Sequence, residues 1–305
     1  MTILHKPILV RESVGMLLEN NRKLFIDTTL GSGGHTRALF DAAEIPIQIL
    51  GIDKDQEALD LARGRLKGEE GVTILHGDFA NLDEAVERWG VSKRVDGIIA
   101  DLGQASFQIN QPNRGFSYQL NGPLDLRYDR TSGKTAAEVI NRYSQTELTE
   151  IIYRYGQESR AKRIAAAIVR NRPLYRTTEL AEVIRKACPG AHIYKVLSII
   201  FNVLRVEVND ELSSIKELMP QAFGFLKPGG RMVVLSYDSN QDRIVKKFFR
   251  EKSRKCICPP ELPVCICNYK PELKILTHHV IKPCKEEIEA NPNARSARMR
   301  AMEKL

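Results

Sequence analysis

The sequence predicts an α/β protein, a doubly wound and mostly parallel sheet interrupted by an inserted helical domain. Two observations carry this. In the N-terminal third, four short apolar runs (Leu24–Thr28, Ile47–Asp53, Val72–Leu75 and Gly97–Asp101) alternate with helix-like stretches. Strands alternating with helices form parallel sheets that bind ligands beyond the strands' carboxyl ends. The next strand-like run, Arg231–Tyr237, comes about 130 residues after the fourth, far more chain than one crossover needs. We expect a sheet domain from residues 1–106 and 201–305, and a helical insertion over 107–200.

The first run ends in a glycine-rich turn, Gly31–Gly34, and the second and fourth end in acids, Asp53 and Asp101. Between the second and third, Gln56–Leu66 places Ala58, Leu59, Ala62 and Leu66 at helical spacing. Within the insertion, helices are expected at Ala136–Arg142, Gln145–Tyr155, Ser159–Asn171 (stopped by Pro173) and Thr178–Lys186, with Thr178 as the cap. Lys227-Pro228-Gly229-Gly230 reads as the turn before Arg231–Tyr237. A helix at Asp242–Lys252, a cysteine-rich loop and a closing strand at Leu273–Ile281 follow. The last fifteen residues, Asn291–Leu305, read as a basic loop.

Composition bounds the function. The 305 residues are 43% hydrophobic, 28% charged and 7% aromatic, the balance of a globular protein and not of a disordered chain. No apolar run approaches the roughly 18 residues a membrane span requires. The N-terminal stretch carries Lys6, Arg11 and Glu12 and offers no cleavage site of small residues, so it does not read as a signal peptide. A cytoplasmic protein with no membrane partner is expected, as monomer or homodimer. Net charge is +8; residues 1–242 hold 31 Lys/Arg against 31 Asp/Glu, and residues 243–305 hold 15 against 7. A surplus confined to one end favours a polyanionic partner there, most simply nucleic acid; a solvated basic tail is the alternative.

Three motifs lie at the predicted carboxyl edge. Asp27-Thr28-Thr29-Leu30-Gly31-Ser32-Gly33-Gly34-His35-Thr36 follows a strand and opens a helix, and its glycines let backbone N–H groups approach a ligand. Because Thr36 stands where a dinucleotide fingerprint needs its third glycine, the loop suits adenosylmethionine better than a nicotinamide dinucleotide. Asp53, about 20 residues further on, is placed to accept both hydroxyls of an adenosine ribose. Gly77-Asp78-Phe79 would then flank the adenine, Asp78 towards its amino group and Phe79 as an apolar or backbone contact; an ordinary core aromatic is the alternative for Phe79. Asp101-Leu102-Gly103-Gln104 ends the fourth strand, the edge expected to face the reacting group, although the Pro-Pro-aromatic signature of many amino methyltransferases is absent.

Further stretches complete a pattern: His5-Lys6-Pro7-Ile8-Leu9-Val10-Arg11-Glu12, Asn113-Arg114-Gly115-Phe116-Ser117, Pro123-Leu124-Asp125-Leu126-Arg127, Arg205-Val206-Glu207-Val208-Asn209-Asp210-Glu211-Leu212, Pro228-Gly229-Gly230-Arg231 and Asn291-Pro292-Asn293-Ala294-Arg295-Ser296-Ala297-Arg298. With Gly33-Gly34-His35 they resemble, over nearly the whole chain, the bacterial 16S ribosomal RNA cytosine-N4 methyltransferase family (RsmH, formerly MraW). The resemblance implies a class I methyltransferase fold, adenosylmethionine as cofactor, and 16S rRNA or the small ribosomal subunit as partner. It implies cofactor contacts at Gly33, Gly34, His35, Asp53, Phe79, Asp101 and Gln108. Substrate contacts are expected at Arg114, Arg205, Asn209, Ser236, Arg295 and Arg298. Asp101, with Asp238 second, is the candidate to accept from the target amine; no metal ligand is assigned to the site.

The chain departs from the family where substrate is expected. The family's S-F-H-S-L-E-D-R is here Ser236-Tyr237-Asp238-Ser239-Asn240-Gln241-Asp242-Arg243, and its H-P-A-T-R/K-T-F-Q-A-L-R is Lys195-Val196-Leu197-Ser198-Ile199-Ile200-Phe201-Asn202-Val203-Leu204-Arg205. A retargeted or non-catalytic RNA-binding paralogue is therefore one alternative, and a nicotinamide-dependent oxidoreductase another. Arg160, Arg163 and Arg170 form a helical stripe suited to an RNA backbone or to solvent. Cys256, Cys258, Cys265 and Cys267 form C-x-C-x6-C-x-C, which could hold zinc or stay as reduced thiols.

Overall fold

The computed structural model describes residues 7–19, 22–91, 94–256, 258–259 and 266–305. They fall into two units, one formed by Gln104–Glu211 and one by the chain up to Gly103 together with Leu212–Leu305. The sheet unit opens with helix Val10–Leu18 (α1) and strand Leu24–Asp27 (β1), followed by Gly34–Ala42 (α2), Gln48–Asp53 (β2), Gln56–Arg65 (α3), Val72–His76 (β3), Leu82–Trp89 (α4) and Val95–Leu102 (β4). The inserted unit contains Ser106–Asn110 (α5), Ala136–Arg142 (α6), Gln145–Gly156 (α7), Ala161–Arg170 (α8), Thr177–Ala187 (α9) and Ile193–Asn209 (α10). The chain continues through Glu211–Phe225 (α11), Leu226–Ser236 (β5), Ser239–Lys252 (α12), Leu273–Ile275 (β6), Lys285–Ala290 (α13) and Arg298–Lys304 (β7). Among the described residues no helix is long and apolar enough to cross a membrane.

Seven strands form one sheet in the order β3-β2-β1-β4-β5-β7-β6. The pairs from β3 to β5 are parallel, and β7 runs antiparallel to β5 and β6. Successive strand residues point to opposite faces: Ile26, Ile98, Ala100, Met232 and Val234 pack into one core, and Phe25, Ile99, Val233 and Leu235 into another. The first core is covered by Leu82 and Val86 of α4, Leu218 and Ala222 of α11 and Phe249 of α12; the second by Val14 and Leu17 of α1 and Leu39 of α2. Burial on both faces explains why β1 and β4 read as continuous apolar runs.

Three elements differ from expectation. The expected turn Lys227–Gly230 lies within β5: Leu226 pairs with Val95 and Arg231 with Gly97, so the intervening residues bulge out of register. The expected closing strand breaks after Ile275, and Ile281 returns only as a single bridge to Met299. The basic C-terminal loop is in fact β7, with Met299, Ala301 and Met302 fully buried between β5 and β6.

The inserted unit packs around its own core, including Ile140, Ile152, Ile164, Ile168, Ile184, Leu197 and Phe201. Thr135 with Glu138 and Ser144 with Glu147 form reciprocal caps that start α6 and α7. The last expected helix begins at Thr177, so Thr178 is inside it and not its cap; Thr177 Oγ1 instead accepts from the Gly122 N–H at 3.0 Å. Helix α10 runs through residue 200, so the observed division falls at Glu211 and not at that expected boundary.

Candidate cofactor and catalytic site

Parallel register brings the carboxyl ends of β1, β2 and β4 to one edge, because Asp27 pairs with Gly51 and Ile99 and Asp53 with His76. Asp27 is buried; Thr36 Oγ1 donates to its Oδ2 at 2.7 Å and the Thr29 N–H to its Oδ1 at 3.2 Å. Burial raises its pKa against those hydrogen bonds. Asp53 accepts from the Gly31 N–H at 2.7 Å and the Asp55 N–H at 2.9 Å, and burial pushes its pKa up to about 6. Each Asp53 oxygen has lone-pair capacity beyond its one backbone bond, so the pair can still accept two hydroxyls.

The loop glycines are constrained from within the protein as well. Gly33 has φ +77°, and a Cβ there would lie 3.1 Å from Leu66 Cδ1; a Cβ on Gly34 would lie 2.9 Å from Arg65 Nη1 and 3.0 Å from Pro7 Cγ. Both are required by packing inside the protein, and Gly33 also by its left-handed backbone. Gly31 is the glycine whose Cβ position opens on space, its nearest neighbour being Thr29 O at 3.9 Å.

Asp101 is held from three sides. Its N–H donates to Thr29 Oγ1 at 2.6 Å, and its Oδ1 accepts from the Tyr237 hydroxyl at 2.8 Å. His35 Nε2 lies 3.4 Å from its Oδ2, at ion-pair distance. Burial alone would lower the His35 pKa, but the Asp101 carboxylate, with Asp27 and Glu287 behind it, raises it. Burial and the Asp101 charge both push the Tyr237 hydroxyl well above the usual tyrosine range, so it remains a donor. Tyr237 was not among the expected site residues. Its one sequence signal was the tyrosine standing where the family motif has phenylalanine.

This edge fits adenosylmethionine. His35 Nδ1 and Ser32 Oγ, both buried, have no hydrogen-bond partner among the described residues. Such orphans cost about 1–3 kcal/mol each unless a ligand supplies partners. Asp27, Asp53 and Asp101 suit a ligand bearing cationic groups and hydroxyls, whereas a pyrophosphate beside them would meet like charge.

The remaining expected residues have other surroundings. Phe79 is half-buried, opening a short turn capped by Asp78, whose Oδ1 accepts from the Ala80 N–H at 2.9 Å while its Oδ2 pairs with Lys54 at 3.0 Å. Asp238 is the N-cap of α12, with Oδ1 accepting from the N–H groups of Asn240 and Gln241 at 2.7 and 3.0 Å. Ser236 is buried at the end of β5. Arg300 grips Asp242 with two hydrogen bonds at 2.6 and 3.0 Å, Arg298 lies 3.7 Å from the same carboxylate, and Arg295 is exposed.

Within the inserted unit, Gln108 is buried and its Oε1 accepts from the Ala105 N–H at 2.8 Å. Arg114, Arg205 and Asn209 are buried too, so none presents its side chain as the expected surface contact. Arg114 donates to the carbonyls of Arg127 and Tyr128, both at 3.1 Å. Asn209 accepts from the Tyr128 N–H and donates to Leu126 O, both at 2.8 Å, and Arg205 forms a two-point pair with Glu211 at 2.7 and 3.1 Å. Together Arg114 and Asn209 shape the turn at Leu126, whose φ is +61°. Arg160 is paired with Glu158 at 2.7 Å, while Arg163 and Arg170 are exposed on α8.

Sheet order and edge define a class: an α/β methyltransferase with a site suited to adenosylmethionine. The MraW methylase family profile matches residues 2–305. The chain is 41% identical over 310 residues to a ribosomal RNA small subunit methyltransferase H of Halothermothrix orenii, covering 99% of this chain and 98% of that protein. It is 43% identical over 311 residues to the protein of that name from Carboxydothermus hydrogenoformans, with the same coverage. The crystal structure of PH0851 aligns with TM-score 0.50 at 12% identity, over 99% of this chain and 47% of that one, a likeness of fold alone. The chain belongs to the MraW methylase family. Neither the oxidoreductase nor the non-catalytic reading is favoured by this membership.

Proposed function

We propose that the protein transfers the methyl group of adenosylmethionine to the exocyclic N4 of a cytidine in small-subunit ribosomal RNA, working in the cytoplasm on 16S rRNA or the small subunit. The observation that carries this reading is the cluster of Asp27, Asp53 and Asp101 at one sheet edge beside buried His35, whose Nδ1 has no hydrogen-bond partner among the described residues. Family membership and the names of its relatives support the RNA and its small-subunit origin.

When bound, the cofactor supplies an electrophilic methyl on a sulfonium sulfur, which keeps the bonding electron pair and becomes a neutral thioether. Asp53 would accept the ribose hydroxyls, and Phe79, the Gly31–Gly34 loop and His35 would hold the rest of the cofactor. Cytosine's amine is a weak nucleophile because its lone pair is conjugated with the ring. Asp101 accepts a hydrogen bond from that amine, orients the nitrogen towards the methyl, and receives or relays the proton released as the N–C bond forms. Tyr237 fixes Asp101. Asp238 is not given a chemical role here, because its carboxylate caps α12.

Arg295 of the sheet unit and, on the inserted unit, Arg163 and Arg170 of α8 are each exposed cations open to phosphates. Arg114 and Asn209 build the turn at Leu126, Arg205 pairs with Glu211, and Ser236 and Arg298 belong to the β5–β7 pair.

The test is methyl transfer from labelled adenosylmethionine to unmodified 16S rRNA and to small subunits. Label should enter the RNA with the wild-type protein and drop at least about a hundredfold with Asp101→Ala. Cofactor binding without transfer to either substrate would contradict the reading.

A further inference from the structure

We propose that Cys256, Cys258 and Cys267 bind one zinc ion as thiolates, and that the ion fastens the loop joining α12 to β6. The three sulfurs all lie within 4.8 Å of one another, and those of Cys256 and Cys267 are 3.7 Å apart. Zinc at about 2.3 Å from each sulfur in a tetrahedron separates them by about 3.8 Å, whereas a disulfide needs about 2.05 Å.

Core burial does not account for this convergence. Cys256 is exposed and Cys258 and Cys267 are partly exposed, unlike Cys188, which is buried in the helical core. Backbone donors are turned towards the sulfurs: the Cys258 N–H donates to Cys256 Sγ at 3.3 Å and the Ile266 N–H to Cys258 Sγ at 3.5 Å. N–H···S bonds of this kind orient sulfurs that ligate a metal. Cys265, adjacent in sequence, lies outside the described residues, and the proposal rests on the other three.

The loop has reason to be fastened. Its base is closed where Lys252 Nζ reaches both Glu272 oxygens at 2.9 Å and the Glu272 N–H donates to Lys252 O at 2.9 Å. About twenty residues then pass between these ends, and a metal bridging both arms removes much of the freedom of so long a segment.

Elemental analysis of the full-length protein, purified reduced and re-supplied with zinc after chelation, tests this. About one zinc per chain is expected, falling at least about tenfold when Cys256, Cys258 and Cys267 are all changed to Ser, and unchanged in Cys284→Ser. Cobalt added to the stripped wild type should give tetrahedral bands with thiolate-to-cobalt charge transfer, a readout that does not depend on the variant folding. Trypsin should cut after Arg254 or Lys255 at least about tenfold faster in stripped protein than in zinc-loaded protein. Absence of zinc after reconstitution, iron in its place, full zinc retention by the triple variant, equal trypsin rates, or an octahedral cobalt spectrum would overturn the proposal.

Discussion

The Tyr237 hydroxyl donates to Asp101 Oδ1 at 2.8 Å, tying the end of β5 to the end of β4. Gly103 makes this possible, since a Cβ there would stand 2.8 Å from the tyrosine ring. Tyr237→Phe keeps the ring and removes the bond. Steady-state kinetics should show kcat reduced roughly tenfold, with the cofactor Kd within about twofold of wild type. A matching loss of cofactor affinity would place the hydroxyl on the cofactor instead.

Asp53 makes cofactor binding sensitive to pH. Its pKa is raised to about 6, so the free protein takes up a proton as pH falls through that value. The ribose hydroxyls donate to the ionised carboxylate, so binding must expel the proton. Affinity should fall by up to about tenfold per pH unit below 6. Asp53→Asn removes the titrating carboxylate, so it should bind more weakly at neutral pH and show a shallower slope. Calorimetry from pH 5 to 8 checks this, and a flat wild-type profile would remove Asp53 from the ribose.

His35 has the opposite partner logic and a stability consequence. Its pKa is raised in the folded state despite burial, so it adds stability that is fully present below its unfolded value of about 6.5 and disappears as pH rises through the raised value. Urea denaturation should therefore show His35→Gln losing more stability, relative to wild type, at pH 5.5 than at pH 8.5. An equal loss at both would mean that the Asp101 pairing contributes nothing.

Much of this was legible from the sequence, for identifiable reasons. Strands β1, β2 and β4 are apolar runs ending in acids, and that ending is what places Asp27, Asp53 and Asp101 at one edge. Helix α10 was missed because its apolar face is broad, with Val196, Leu197, Ile200, Phe201, Val203 and Leu204 all buried, and its polar stripe is narrow, Lys195, Ser198 and Asn202. Strand β7 did carry a signal, the alternation Arg298-Met299-Arg300-Ala301, masked by its basic charge; the acid that neutralises Arg300 is Asp242, far away in sequence. Arg114, Arg205 and Asn209 show the harder limit. Their partners converge only in the folded chain, so sequence could not separate buried scaffold from exposed contact.

The Arg205–Glu211 pair turns that distinction into a measurement. Both side chains are about 7% exposed, and removing one partner leaves a buried charge unpaired. Arg205→Met should cost about 3–5 kcal/mol in chemical denaturation, and Arg205→Met with Glu211→Leu should recover most of it. The double variant should keep the wild-type salt dependence of RNA binding; a reduced slope would make Arg205 a phosphate contact.

Methylation of a small-subunit cytidine at N4 is read out by mass spectrometry of nucleosides from 16S rRNA of cells with and without this protein. N4-methylated cytidine should fall on deletion and return with the wild-type chain but not with Asp101→Ala. An unchanged level in the deletion strain would contradict it.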